Sequence, residues 1–307
     1  MLSDALSIQG VIPVVNTFFG APIDPTHALF VIIGVPFDKT STYRHGAKEG
    51  PTAIRTASQH IESFCLQEEY DADAAKLTLA DVGNVNIQSD SVRSMLTVVE
   101  SVVAQISQKD KIPILLGGEH TLTLAAVRAL PRDIVLIQFD AHMDLRDRFN
   151  DLEFSHACVQ RRITEHLGPD HLIQIGVRAV SKEEYDYARD QNIRFYTSGD
   201  IRKEGAFAIA HRINEAIPPG PPLYISIDMD VLDPAYAPAV GNPEAAGLTT
   251  SELLSLLRVI GPRANIFDVN ELTPQFDQGI TAICAANIIK TFLCVQSKRR
   301  SLVTSHE

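Results

Sequence analysis

The sequence predicts an α/β fold, because short apolar runs alternate with stretches of helical periodicity along a chain of 307 residues. The runs are rich in Ile, Val and Leu and lack polar alternation, which is typical of strands buried on both faces of a parallel sheet. No linker, repeat or low-complexity tract interrupts this pattern, so we expect residues 1–307 to form a single domain. The predicted strands are, in order, Leu29–Val35, Leu77–Val82, Ile112–Leu116, Ile134–Phe139, Leu172–Val177, Ile193–Tyr196, Leu223–Ile227 and Ile266–Val269.

Helices are expected between most of these strands. Apolar residues recur there at helical spacing, and the first stretch follows a glycine and starts with a proline, as helices often do. In an open parallel sheet the active site lies beyond the carboxyl ends of the strands, so the residues that follow each run are the candidates for a functional site. The predicted helices are Pro51–Phe64, Ser91–Ile106, Thr121–Leu130, Ala157–Leu167, Ser181–Arg189, Ala206–Ile217 and Ser251–Ile260.

Composition excludes several classes of protein. Hydrophobic residues make up 45% of the chain, which is enough for a large core, and the formal net charge of −11 disfavours a nucleic-acid surface. We therefore expect no nucleic-acid partner and a small cationic substrate. The four cysteines form no CxxC pair, no apolar run approaches the roughly 20 residues of a membrane helix, and no signal peptide is evident. The chain is expected to be cytoplasmic, with no membrane contact.

Acidic and imidazole side chains follow two of the predicted strands. Asp140, His142 and Asp144 come directly after the fourth strand, and Asp228 and Asp230 come directly after the seventh. Residues two apart in an extended backbone point to the same side, so each set can converge on one point. A single Asp after a strand usually caps a helix, but that explanation does not account for so many ligand-type residues together.

A third strand end adds an imidazole. Gly117 and Gly118 follow the third strand, and we expect this glycine pair to let the backbone bend and bring His120 to the same crevice. Four carboxylates this close would repel one another unless cations held them ionised, and two divalent ions would do so. Imidazole and carboxylate ligands without thiolate favour Mn²⁺, with zinc or iron as alternatives. Such a pair of ions would lower the pKa of bound water and so supply a nucleophile near neutral pH.

These motifs together resemble those of the ureohydrolases, the family of arginases and agmatinases. The resemblance covers most of the chain, from the loop Thr42–Gly46 to Glu271–Pro274, and includes three metal motifs in order. It implies an arginase-like three-layer α/β/α domain with an eight-stranded, mostly parallel sheet, and a homo-oligomer, either a trimer or a hexamer. The motifs are Gly117-Gly118-Glu119-His120, Asp140-Ala141-His142-Met143-Asp144 and Ser226-Ile227-Asp228-Met229-Asp230-Val231-Leu232-Asp233-Pro234.

The resemblance also implies a role for each site residue. Glu271 matches the carboxylate that grips the substrate guanidinium, and His156 matches a mobile-loop histidine that shuttles protons. Asp144 would pass a proton to the departing amine. The ligands implied for one Mn²⁺ are His120, Asp140, Asp144 and Asp228, and those for the other are Asp140, His142, Asp228 and Asp230.

The substrate implied is agmatine, which would be cleaved to putrescine and urea. Arginases carry acidic residues after the segment that ends at Arg178, whereas Ala179, Val180 and Ser181 follow it here. The loop that includes Asn242 departs from the family pattern and is expected to line the substrate tail. The alternatives are arginine, guanidinobutyrate or formiminoglutamate, whose carboxylates would need a partner among Arg146, Arg148 and Arg178, and a non-enzymatic relative that regulates a partner protein.

Overall fold

Residues 6–73 and 78–304 are described by the computed structural model, which places them in one α/β domain. Leu77, the first residue of a predicted strand, lies outside the described residues. The strands are β1 (Val11–Ile12), β2 (Phe30–Val35), β3 (Phe64–Cys65), β4 (Tyr70–Asp71), β5 (Leu79–Val85), β6 (Ile112–Gly117), β7 (Val135–Phe139), β8 (Leu172–Val177), β9 (Arg194–Thr197), β10 (Leu223–Asp228) and β11 (Ala264–Asn270). The α-helices are α1 (Gly50–Ser58), α2 (Val92–Ser107), α3 (Leu122–Arg128), α4 (Val159–Leu167), α5 (Lys182–Asp190), α6 (Ser198–Glu204), α7 (Ala206–Ala216), α8 (Thr250–Ile260) and α9 (Ile280–Thr304).

The central sheet has nine strands in the order β1-β5-β2-β6-β11-β10-β7-β8-β9. Eight of them are parallel, and they correspond to the eight predicted apolar runs. The ninth strand, β1, is a two-residue antiparallel addition beside β5, so the expected strand count was low by one. Its brevity explains the difference, because two residues carry no periodic pattern. A separate hairpin joins β3 and β4.

Successive side chains of the inner strands enter two different cores, one on each face of the sheet. In β2, Phe30 and Ile32 belong to a core that also contains residues of α1, α7, α8 and α9, whereas Val31 and Ile33 belong to one that contains residues of α2, α3, α4 and α5. Burial of each such side chain stabilises the fold by about 1.5–3 kcal/mol. Helices therefore cover both faces of the sheet, and the three-layer α/β/α prediction is confirmed.

One predicted helix ends earlier than expected, and two helices, the seven-residue α6 and the long α9, were not predicted. The helix expected over Pro51–Phe64 ends at Ser58, whose hydroxyl donates to the Arg55 carbonyl and accepts the Phe19 N–H. Helix α9 was not predicted, because it is apolar on most sides and so lacks an amphipathic pattern. Although no apolar segment was expected to reach membrane length, α9 is long and apolar enough to do so. However, 78% of its most apolar window is buried inside the protein, which is typical of a core helix.

The strand order brings four carboxyl ends together. Strands β6 and β7 are consecutive in the chain, but β11 and β10 lie between them in the sheet. The ends are level, since Phe139 pairs with Ile227 and Asp228 pairs with Asn270. Crevices at such rearrangements of strand order are where open α/β sheets bind ligands.

Candidate functional site

The predicted metal-ligand residues converge beyond β6, β7 and β10. In the first cluster, the Nδ1 atom of His120 lies 3.2 Å from Asp140 Oδ2, 3.2 Å from Asp144 Oδ2 and 3.4 Å from Asp228 Oδ2. All four side chains are buried. The atoms offered by His120, Asp140 and Asp228 lie within 4.8 Å of one another, so one metal ion could bind between them.

A second cluster shares Asp140 with the first. The Nδ1 atom of His142 lies 3.0 Å from Asp230 Oδ2 and 3.5 Å from Asp140 Oδ1. The ligand atoms of these three residues also lie within 4.8 Å of one another. Asp140 therefore presents one oxygen to each cluster, as a bridging carboxylate would. The second bridge predicted for Asp228 stays a prediction, because its Oδ1 atom accepts the Asp230 N–H at 2.8 Å.

The donor set fits divalent cations. Burial, followed by the charge of Asp140, raises the pKa of Asp144 to about 7, and burial with Asp230 raises the pKa of Asp228 well above its usual range. Carboxylates packed this closely can all be ionised only beside positive charge. The Nδ1 atom of His120 is buried, faces three carboxylates and has no hydrogen-bond partner among the described residues. A neutral imidazole with a lone pair at that position could bind a metal ion.

The glycines before His120 serve close packing. A Cβ atom on Gly118 would lie 1.9 Å from the Phe37 carbonyl oxygen, and one on Gly117 would lie 1.9 Å from Asn270 Oδ1. Neither glycine has a positive φ. The expected reason for the glycine pair, a sharp bend, is therefore replaced by the close approach of neighbouring chain segments.

A buried polar relay orients His120 from behind. His120 Nε2 lies 2.9 Å from the Ser226 hydroxyl, and that hydroxyl donates to Asp268 Oδ1 at 2.7 Å. Since the single hydroxyl proton points to Asp268, the Ser226 oxygen accepts the N–H of His120 Nε2. This hydrogen bond leaves the lone pair of His120 on Nδ1, the nitrogen that faces the carboxylates. Asp268 also accepts hydrogen bonds from Tyr224 and Asn270.

Glu271 lies just beyond β11, beside the two clusters. Its Oε1 atom accepts the His120 backbone N–H at 2.7 Å, and its own N–H donates to the Gly118 carbonyl. The residue has a φ of 63°, an uncommon value outside glycine. Burial, followed by the charge of Glu119, raises the pKa of Glu271 to about 8. A bound guanidinium would favour its ionised form.

His156 is held by a residue that the sequence did not indicate. Its Nδ1 atom lies 3.1 Å from the Thr40 hydroxyl, which donates in turn to Glu119 Oε1 at 2.8 Å. The Thr40 oxygen must therefore accept a hydrogen bond from the N–H of His156 Nδ1, which leaves the Nε2 nitrogen without a proton and able to act as an acceptor. Burial lowers the pKa of His156 to about 4. The imidazole is thus neutral near pH 7.

One cavity of about 320 Å³ opens onto both clusters. His156, Glu271 and four of the predicted ligand residues line it. Asn242 also lines the cavity, so the loop that differs from the family pattern borders it. Four residues for which the sequence predicted no role contact the site, either through hydrogen bonds or by lining the cavity: Thr40, Ser226, Asp268 and Glu244. Their functions depend on contacts between distant segments, although Ser226 does begin the third motif.

This α/β domain, with paired imidazole and carboxylate clusters at its strand ends, has the form of a metal-dependent hydrolase. The family model described as Arginase family matches residues 28–294. N(1)-aminopropylagmatine ureohydrolase of Thermococcus kodakarensis is 38% identical over 271 residues, which cover 87% of this chain and 90% of the relative. The chain belongs to the arginase family, and it is an enzyme of the ureohydrolase class.

Solved structures agree with this assignment. The crystal structure of agmatine ureohydrolase of Thermoplasma volcanium matches with a TM-score of 0.88 and 36% identity, covering 94% of this chain and 97% of that one. The crystal structure of Trypanosoma cruzi formiminoglutamase with Mn²⁺ matches with a TM-score of 0.82 and 25% identity, covering 91% and 96%. The fold and the family are therefore those expected from the motifs.

Proposed function

We propose that this protein is a manganese-dependent agmatinase, which hydrolyses agmatine to putrescine and urea with two Mn²⁺ ions per subunit. The observation that carries the proposal is Asp140, whose two carboxylate oxygens face two different histidine-containing clusters beside the cavity. The relatives named for agmatine and aminopropylagmatine support the substrate class, and the manganese of the formiminoglutamase supports the metal.

The ligands proposed for one ion are His120, Asp140, Asp144 and Asp228, and those for the other are Asp140, His142, Asp228 and Asp230. When bound, the ions would supply Lewis acidity and lower the pKa of water. The remaining steps depend on the side chains of the protein.

Glu271 binds the substrate in this proposal. Its Oε2 atom faces the cavity loop, where a Cβ on Gly241 would lie only 3.2 Å away, and its Oε1 atom is fixed by the His120 N–H. A planar guanidinium pairs well with a carboxylate held in this way. Such pairing would hold the guanidinium carbon near the two clusters, where attack by water oxygen forms the new C–O bond.

Proton transfer is assigned to Asp144 and His156. Asp144 takes the proton released by the attacking water and gives it to the alkyl nitrogen as the C–N bond breaks. The second proton of the former water, on the new C–OH group, then passes to the released amine, so that urea and a protonated amine leave. Neutral His156, with its Nε2 lone pair free of the Thr40 hydrogen bond, accepts protons at the cavity wall. Both residues lie in reach of the cavity, and both are buried from bulk solvent.

The cytoplasmic location and the trimeric or hexameric assembly stay predictions. All four cysteines are free, which suits a reducing compartment. Exposed apolar side chains, among them Phe64, Leu66 and Ile280, border one surface groove and suit contact between subunits.

The test is urea release by the Mn²⁺-loaded protein from agmatine, arginine and 4-guanidinobutyrate. Agmatine is expected to be the best substrate, and no urea from any of the three would overturn the proposal. Arg146 lines the cavity and gives 4-guanidinobutyrate some support as the alternative, but its Nε atom lies 3.6 Å from Glu184. Faster turnover of arginine or 4-guanidinobutyrate would overturn the substrate assignment alone.

The ligand assignment has its own test. Asp140→Ala and Asp230→Ala are expected to lose bound manganese, measured by elemental analysis after dialysis, and with it turnover. Asp170→Ala serves as the control, because this exposed carboxylate lies outside the cavity. Normal metal content and normal rates in the first two variants would refute their assignment as ligands.

A further inference from the structure

We infer that Glu244 selects substrates with a cationic tail, an inference that rests on the proposed hydrolysis of a guanidino substrate. Glu244 lines the same cavity as Glu271, and its Oε1 atom lies 3.8 Å from Nε2 of His142. The Nδ1 atom of that imidazole faces Asp230, so the ring separates Glu244 from the second cluster. The carboxylate therefore lies across the His142 ring from Asp230, in the wall of the cavity that the substrate would enter.

The backbone around Glu244 is firmly anchored. The Arg178 guanidinium donates to the Glu244 carbonyl at 2.9 Å, to the Ala245 carbonyl at 3.0 Å and to the Asp230 carbonyl at 2.6 Å. The N–H of Gly247 donates to Asp233 Oδ2 at 3.0 Å. These bonds tie the loop to the segment that carries Asp230, so the position of Glu244 relative to the cluster is fixed before any ligand binds.

The Glu244 side chain remains available for a ligand. It is 44% exposed, and its carboxylate accepts no hydrogen bond from any residue in the described parts of the chain. The nearby imidazole is too far away, at 3.8 Å, to count as a hydrogen-bond donor. An ammonium group entering the cavity would therefore meet an acceptor that no side chain of the protein already occupies.

The other charges near the cavity favour the same kind of tail. Arg146 lies 3.6 Å from Glu184 and stacks over the Phe149 ring, so its charge is balanced within the protein. Glu184 in turn accepts the Ser181 hydroxyl and the Leu145 N–H. The cavity lining has two more carboxylates outside the clusters: Glu271 is held by the His120 N–H, whereas Glu244 accepts no hydrogen bond in the described parts of the chain.

Arg178, one of the three arginines that the alternative substrates would have as possible partners, is not available to bind an anionic tail. Its guanidinium nitrogens donate to backbone carbonyls, including those of Gly176, Val231 and Leu232. A substrate carboxylate would thus lie near the negative charge of Glu244, and Arg178 could not compensate for it because its donors are already used. This arrangement disfavours anionic tails as well as favouring cationic ones.

Glu244→Gln tests the inference, because it removes the charge and keeps the shape. Three compounds with similar chains separate tail charge from guanidinium binding: agmatine, 1-butylguanidine and 4-guanidinobutyrate. For agmatine we expect kcat/KM to fall about five- to tenfold through KM, as for loss of one partly exposed ion pair. 1-Butylguanidine should be unaffected, and 4-guanidinobutyrate should improve. Glu215→Gln is the matched control, because Glu215 lies in α7 just before the amino end of β10, whereas the site lies beyond the carboxyl ends of the strands.

Calorimetric Kd values of the manganese-loaded protein for the same compounds give a readout that does not require turnover. Loss of discrimination between agmatine and 1-butylguanidine in Glu244→Gln would support the inference even if no guanidine were hydrolysed, a result that would remove only the proposed function. An equal loss for all three compounds, or a loss of bound manganese, would assign Glu244 to orienting His142 and overturn its role in tail selection. Unchanged agmatine affinity would overturn it as well.

Discussion

Ser226→Ala is the substitution that best tests how the fold prepares a metal ligand. Ser226 is fully buried on β10, and its hydroxyl accepts from His120 Nε2 while donating to Asp268. In the alanine variant the Nε2–H of His120 has no acceptor from this strand. The imidazole can then carry its proton on Nδ1, the position that faces the carboxylates, because the hydrogen bond that favours the proton on Nε2 is lost.

The magnitude follows from the two bonds that are lost. An unpaired buried donor costs about 1–3 kcal/mol, and Asp268 keeps its hydrogen bonds from Thr123, Tyr224 and Asn270, so the relay is weakened without collapsing. Removal of an outer partner from a metal-binding histidine typically lowers metal affinity or activity about 10–100-fold, which corresponds to about 1.4–2.8 kcal/mol. We expect manganese affinity to fall within this range.

The assay is competitive manganese binding against a metal-sensitive dye, combined with urea denaturation. Tyr224→Phe is the matched control, because it removes a different donor from the same Asp268 carboxylate and leaves the bond between Ser226 and His120 in place. Ser226→Thr keeps the hydroxyl and should restore most of the affinity. Wild-type manganese affinity in Ser226→Ala would refute the argument that this relay sets the imidazole tautomer.

Two further substitutions test other buried contacts. Asp81→Ala should destabilise the protein by about 3–5 kcal/mol in urea denaturation, because Arg55 would remain as a buried unpaired charge. In the wild-type protein Arg55 donates to both Asp81 oxygens at 2.8 Å. A loss of stability below about 1 kcal/mol would contradict this expectation. Thr40→Val should lower the kcat of urea release by about tenfold or more, because His156 Nδ1 loses its hydrogen-bond acceptor, and the manganese content should not change. An unchanged kcat would show that this hydrogen bond does not matter for turnover.

The sequence was most informative where an element repeats a pattern. The eight parallel strands were visible as continuous apolar runs, because burial on both faces removes polar residues from them. Strand β1 is too short for any pattern, and α9 is buried on most sides, so neither has the signal on which such predictions depend. The strand order also could not be derived from periodicity, since it depends on how β10 and β11 insert between β6 and β7.

The site likewise contains residues that the sequence predicted and residues that it did not. Ligand-type residues spaced two apart at strand ends predicted a convergence that the structure contains, because strand geometry is local. The partners of these residues come from remote segments: Thr40 reaches His156 across 116 positions, and Ser226 reaches His120 across 106. Glu244 lies near His142 for the same reason, since a loop anchored by Arg178 carries it there. Such pairings depend on tertiary structure and leave little local signal.

The backbone itself suggests that this end of the sheet is built for chemistry at the expense of stability. Asp144 and Glu271 have φ values of 54° and 63°, and each such conformation costs about 1–3 kcal/mol outside glycine. Both are held by backbone hydrogen bonds, from Gln160 N–H to the Asp144 carbonyl and from Glu271 N–H to the Gly118 carbonyl. Glycine would relieve the strain but would supply no carboxylate. Two of the non-glycine residues with positive φ are therefore ones whose side chains the proposed reaction needs, and the two apolar cores beneath them offset that cost.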